Sequence, residues 1–249
     1  MSTTTSAPGT TTNLDAHPAS APTQRVTMVV GMHRSGTSFL TGSLQQAGLE
    51  LGKHSQWNRF NTKGNRENVD FVTLHDDILA ASGFAWNEPP AGEVPWSDEH
   101  VARAKDLVAG YAGCPHWGFK DPRATLLVAG WERLLPSLEF VGIFRHPHAV
   151  RRSLEARTTL PVTNPYELWS RYNDALLELH AKRPFPVLCF DEDEATLLEK
   201  LDTLLLELGL RPATEDRFFS GGLKHHGNVE EPLPDDLARM SAQLRAIAR

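Results

Sequence analysis

The residues best suited to chemistry lie together in Gly31-Met32-His33-Arg34-Ser35-Gly36-Thr37-Ser38. An apolar run from Val26 to Val30 precedes them, and from Thr37 onward the composition is that of a helix start. A strand, a tight glycine loop and a helix N-terminus in succession aim several backbone N–H groups and the positive end of a helix dipole at one point. That arrangement favours an oxyanion such as phosphate or sulfate. The stretch therefore predicts an anionic ligand, with a nucleotide as the first expectation.

The nearest general motif is the phosphate loop GxxxxGK[ST], whose lysine reaches the β- and γ-phosphates and whose hydroxyl holds magnesium. Gly31 and Gly36 have its spacing, but Thr37 occupies the lysine position. ATP hydrolysis or kinase chemistry would lose a main charge stabiliser there. Arg34 supplies a cation inside the loop instead. This suits one 5′-phosphate joined to a small anionic group better than a triphosphate.

The elements that must position this loop alternate. Apolar runs at 117–120, 138–144 and 187–190 read as further strands. Three- and four-residue apolar spacing predicts helices over 37–47, 67–81, 99–112, 124–135, 165–181, 194–208 and 235–248, with another after Pro147 holding Val150 and Leu154 inward. Ser97 caps the third of these, and Pro122 opens the fourth. Such alternation implies an α/β fold of the phosphate-loop type, a three-layer sandwich with a mostly parallel central sheet and helices on both faces. Ligands of such sheets sit beyond the carboxyl ends of the strands, so the loops at Gly31, Asp121 and Arg145 should meet at one edge. Residues 49–66 read as a polar loop and 83–96 as a mobile loop over a cleft.

Two spaced motifs resemble the sulfotransferases that use 3′-phosphoadenosine 5′-phosphosulfate (PAPS). GMHRSGTS is similar to their 5′-phosphosulfate loop, in the variant with arginine where other members carry lysine. FVGIFRHPHAVRRSL resembles the strand ending in Arg, with Ser eight residues later, that binds the 3′-phosphate; here these are Arg145 and Ser153. GNRENVDF resembles the segment that carries the catalytic glutamate of enzymes acting on sugar or tyrosine hydroxyls, which would make Glu67 the base. FKDPR is similar to the Lys-x-Pro segment of the carbohydrate enzymes and puts Lys120 near the sulfonate. The likeness extends from about Val26 to Leu210 through ELWSRYNDALLEL and PVLCFDEDE, whereas the C-terminal part lacks the RKGxxGxWK pattern of the cytosolic small-molecule enzymes.

The resemblance implies PAPS as cofactor, its bisphosphate PAP as product, and no requirement for a metal. His33, Arg34, Ser35, Gly36, Thr37, Ser38, Arg145 and Ser153 would bind the cofactor, and Glu67, Arg34, Lys120 and His33 would serve catalysis. Plainer readings stand beside these. Glu67 could be an acid of a helix first turn, His33 a structural polar group, Asp121 a cap, and Arg145 the partner of a surface acid. His75, Asp76 and Asp77 diverge around a helix and cannot chelate together. Arg151, Arg152, His225 and His226 read as exposed, and Trp57, Trp86, Trp96 and Trp169 as core or loop packing. The alternatives in function are an ATP-using kinase or nucleotide hydrolase, and a non-catalytic nucleotide-binding module.

Composition bounds the rest. A net charge of −6 argues against nucleic acid or an anionic membrane as partner, so any grip on an anion is local. Cys114 and Cys189 stand far apart, which indicates neither a disulfide framework nor a zinc site and suits a reducing cytoplasm. Residues 1–24, rich in Thr, Ser, Ala and Pro, read as a disordered tail before one sulfotransferase domain over 25–249. No secretory signal or membrane-spanning run is seen. The expected partner is a small-molecule or glycan acceptor bearing a hydroxyl.

Overall fold

Four strands form the centre of the fold in a computed structural model, which describes residues 24–55, 64–156, 162–218 and 231–249. They are β1 (Arg25–Val30), β2 (His116–Lys120), β3 (Leu138–Phe144) and β4 (Val187–Cys189). All pair in parallel in the order β2-β1-β3-β4, with Met28 opposite both Phe119 and Phe140. A sheet covered on both faces needs apolar residues at every position. Even-numbered side chains of β1 and β3, Met28, Val30, Phe140 and Phe144, enter one core, and odd-numbered Val29, Val141 and Ile143 enter the other.

Eight helices among the described residues flank the sheet. They are α1 (Thr37–Gln46), α2 (Val69–Ala81), α3 (Asp98–Ala109), α4 (Val128–Leu134), α5 (Pro147–Glu155), α6 (Pro165–Lys182), α7 (Glu194–Glu207) and α8 (Asp235–Ile247). Phe39 and Leu40 of α1 pack with Leu197, Leu201 and Leu204 of α7 on one face. Phe71, Trp131, Val150, Trp169, Tyr172 and Leu237 bring α2, α4, α5, α6 and α8 to the other. This is the expected three-layer α/β sandwich, with loops 31–36, 121 and 145–146 all leaving carboxyl strand ends.

Three local expectations are corrected. The helix expected over 124–135 is split into a 3₁₀ helix, Pro122–Leu126, and α4. Asp121 caps its start by accepting from Arg123 N at 3.2 Å, and Thr125 is drawn away to the glycine loop, where its Oγ1 accepts from Gly31 N at 3.0 Å. Glu67 does not begin α2, because Asn68 is the N-cap, accepting from Asp70 N at 2.9 Å. The expected mobile loop 83–96 is tied down. Ala85 and Glu88 exchange backbone hydrogen bonds, Tyr172 donates to Trp86 O at 3.0 Å, and Trp96 packs edge-on to Trp131 at 5.2 Å.

Of the expected tail over 1–24, only Gln24 is described, and its amide donates to Tyr111 O and Cys114 O at 2.7 and 2.9 Å. Trp57, His225 and His226 lie outside the described residues. No helix among the described residues is long and apolar enough to cross a membrane.

Candidate functional site

The glycine loop owes its path to two backbone positions. Gly31 has φ 145°, and a Cβ there would lie 2.3 Å from the carbonyl oxygen of Ile143, so only glycine lets the chain pass over the end of β3. Gly36, at φ 90°, would drive a Cβ into the Phe190 ring at 2.4 Å. Between them Arg34 adopts φ 67°, a left-handed conformation that costs a non-glycine residue about 1–3 kcal/mol. Such strain concentrates where a loop is shaped for a ligand. Gly36 then caps α1 with no side-chain hydrogen bond and no acid in the first turn. The N–H groups of that turn, which precede the helix's own hydrogen-bond ladder, and the dipole behind them face the loop. Ser35 is fully buried, and its Oγ finds no hydrogen-bond partner among the described residues.

Two groups of side chains converge on this turn. Lys120, the last residue of β2, is buried with 1% of its side chain exposed, and its Nζ donates to Glu67 Oε1 at 2.7 Å and to Ser38 Oγ at 3.4 Å. Ser38 in turn donates to Asn65 O at 3.2 Å, which ties the segment before α2 to the first turn of α1. The second group begins at Arg34, whose Nε donates to Ser153 Oγ on α5 at 2.8 Å. Ser153 thus meets the loop arginine. Arg145 is instead held at the end of β3 by Asp191, with Nε to Oδ1 at 3.4 Å, and its guanidinium lies 5.3 Å from the Phe190 ring. Its carbonyl accepts from Trp169 Nε1 at 2.9 Å.

Beneath the loop lies a buried polar network. His75 Nε2 faces Trp131 Nε1 at 2.9 Å; an indole only donates, so the proton sits on His75 Nδ1, which donates to Asp121 Oδ2 at 2.8 Å. Arg123 Nη1 donates to the other oxygen at 2.9 Å. Burial alone would raise the Asp121 pKa, but the hydrogen bond from His75 and the charge of Arg123 hold it well below the usual carboxylate range. Asp121 is therefore a fixed anion that braces the turn after Lys120. Asp76 and Asp77 leave His75 for Arg123 and Arg103 respectively. Among the described residues no group of three His, Cys, Asp or Glu could hold a metal ion.

His33 is pressed between Trp86, at 4.7 Å between ring centroids, and Tyr172, at 5.7 Å. Burial, reinforced by Arg123, Lys120 and Arg34 against the opposing pull of Asp121, lowers its pKa from 6.5 to about 3. At neutral pH the ring carries no charge. Trp86 and Trp96 pack against the core and Trp169 is fully buried. Arg151, expected to face outward, is half-buried between Glu155 and Glu231, whereas Arg152 is exposed.

Three residues of this edge escape a reading of the sequence. Thr125 anchors Gly31, Asp191 holds Arg145 and also accepts from His146 N at 2.5 Å, and Arg66 flanks Glu67. Asp191 carries one usable signal, an acid directly after a strand-like run, as at Asp121. Thr125 and Arg66 carry none.

No protein-family model matches the sequence, and no curated protein matches it. Among solved structures, the chain is similar to the sulfotransferase domain from the Synechococcus PCC 7002 olefin synthase, with a TM-score of 0.53 and 14% sequence identity. The match covers 91% of this chain and 97% of that one. At this identity the likeness is one of fold, and the fold of the chain is the phosphate-loop-type α/β sandwich of a sulfotransferase domain.

Proposed function

We propose that the protein transfers a sulfonate group from PAPS to the hydroxyl of a small-molecule or glycan acceptor. The observation that carries this reading is the contact of buried Lys120 with both Glu67 and Ser38 at a helix start that no side chain caps. An ammonium, a carboxylate and the N–H groups of a helix first turn at one point are what in-line transfer to a hydroxyl needs, namely positioning, charge stabilisation and a proton acceptor.

The residues present fit the cofactor. The buried Ser35 hydroxyl without a partner and the first-turn N–H groups offer donors to a 5′-phosphosulfate, with Arg34, Thr37 and Ser38 beside them. Arg145 and Ser153 would hold the 3′-phosphate. When bound, PAPS supplies the sulfonate and a phosphate leaving group. Lys120 and Arg34 would offset the charge that builds at the head of α1. Glu67 would take the acceptor proton on Oε2, since Oε1 carries the contact to Lys120. His33, neutral and wedged between aromatic rings, would orient groups rather than store a proton.

The test is a melting assay followed by turnover. PAP at a hundredfold excess over its Kd should stabilise the fold by about 2.7 kcal/mol, roughly 5–10 °C, whereas ATP with magnesium should not. Labelled PAPS and extracts of the source cell then reveal the acceptor. Glu67→Gln should abolish turnover and keep the PAP response. A response to ATP and not to PAP would sink the reading in favour of a kinase or hydrolase, and surviving turnover would move the base elsewhere.

A further inference from the structure

Arg66 stands between the two residues that tie its segment to the site, Asn65 to Ser38 and Glu67 to Lys120. Its own side chain turns to different company. His54 Nδ1 faces the carbonyl of Gly52 at 2.8 Å, so the proton sits there and His54 Nε2 is bare. That nitrogen accepts from Arg66 Nη1 at 3.0 Å and from the Gln45 amide at 3.1 Å, both of which only donate. The arginine thus ends on a neutral ring. Its guanidinium lies 5.0 Å from the centroid of Phe218, and its Nε is buried with no hydrogen-bond partner among the described residues.

No carboxylate among the described residues pairs with it, whereas Arg25, Arg103, Arg123, Arg133, Arg183 and Arg217 each hold an acid. Burial lowers its pKa, and no carboxylate acts in opposition. The adjoining sequence 56–63, QWNRFNTK, contains no acid, and 219–230, which follows Phe218, contains one, Glu230. The backbone is strained as well, at φ 60°. Arg34 and Arg66 are the two arginines with positive φ among the described residues; Arg34 lies in the loop before α1, whereas the Arg66 side chain runs along α1 to His54 and Gln45, with Phe218 over Gly42 beside it. Among the described residues this half-buried cation meets only neutral groups, so it loses solvation without gaining an ion pair, and the Phe218 ring offsets that only in part.

We propose that Arg66 is an anion-binding residue of this edge, taking an oxyanion (sulfate, phosphate or carboxylate) beside α1. The oxyanion would come from the nucleotide donor or from an acidic group on the acceptor, an assignment of sources that rests on the proposed sulfonate transfer. The planar fork of an arginine suits any of these groups.

Sulfate is titrated into the full chain, free and saturated with PAP, and PAP is titrated separately, for wild type, Arg66→Met and Arg66→Gln. Both variants should melt no lower than wild type without ligand. A loss of PAP affinity of about tenfold or more assigns the residue to the donor. Intact PAP affinity with a similar loss of sulfate binding to the saturated protein assigns it to the acceptor. Arg66→Gln keeps a donor for His54 and isolates the charge, so it decides the matter if the methionine protein does not fold. Affinities within twofold of wild type throughout overturn the proposal, and a lower melting temperature with intact affinities makes the arginine structural. If wild type ignores PAP, the sulfonate-transfer reading falls, while sulfate binding to the free protein still tests Arg66.

Discussion

Replacing Glu67 by Gln would leave the Lys120 ammonium buried, with the Ser38 hydroxyl at 3.4 Å as its remaining partner among the described residues. Breaking a buried pair in this way costs about 3–5 kcal/mol. Because 19% of the Glu67 side chain is exposed and admits some water, the low end, about 3 kcal/mol, applies. In a chain of this size that is a drop of about 6–12 °C in Tm. Lys120→Met should cost less, about 1 kcal/mol, since it leaves the more exposed partner to hydrate and fills the space with an adaptable apolar chain. The double variant buries no charge and should approach wild type, which makes the two substitutions couple by at least about 2 kcal/mol. Urea denaturation of the four proteins without ligand measures this directly. PAP should then raise the Tm of Glu67→Gln more than that of wild type, because an anion at the head of α1 replaces the missing carboxylate. Additive effects, with coupling below about 0.5 kcal/mol, would refute the claim that the two charges hold each other in the site.

The remaining predictions concern the loop. The folded pKa of His33, about 3, lies below its ordinary 6.5, so the unfolded chain takes up the proton first. Its contribution to stability is complete above pH 6.5 and drains as pH falls toward 3, at most by about 1.4 kcal/mol per unit. His33→Gln should therefore flatten the dependence of Tm on pH between about 6.5 and 4, and an unchanged slope would show that burial does not keep the ring neutral. Gly31→Ala should destabilise by about 2–4 kcal/mol and abolish the PAP response, since its Cβ would meet the strand backbone of Ile143 and nothing there can yield. Gly48→Ala, at φ 111° with no atom near the added Cβ, carries only backbone strain and should retain that response.

The elements that alternate by period were legible because their signal is local. All four strands read as apolar runs since parallel strands are buried on both faces, and β3 matches its expected bounds residue for residue. Ser97 capped α3 where a serine before a polar helix should. What escaped depends on partners far away in sequence. The 3₁₀ break follows from Thr125 reaching back to Gly31, and Ser153 turns to Arg34 across the gap between two strands. Asn68 and Glu67 are both plausible at a helix start, and the competition was settled by Lys120 drawing the glutamate away from α2. No spacing rule encodes such choices, because each is made where β1, β2 and β3 bring their ends together.

That convergence bears on which group could accept a proton. Two candidates flank the loop, and their surroundings differ. His33 is surrounded by aromatic rings and cations, which disfavour an imidazolium, so the ring is a weak base whatever its geometry. Glu67 is held by a cation, yet the hold is conditional, because Lys120 also reaches Ser38 at the helix start. An anion seated at that start competes with Glu67 for the ammonium. Whatever share it takes frees Glu67 Oε1 as well as Oε2 for the acceptor hydroxyl, so Lys120 would couple donor binding to exposure of the base. The same pair that stabilises the protein without ligand would then keep the carboxylate masked until the donor arrives. On this argument the excess PAP stabilisation of Glu67→Gln over wild type measures the energy with which Glu67 resists giving up Lys120.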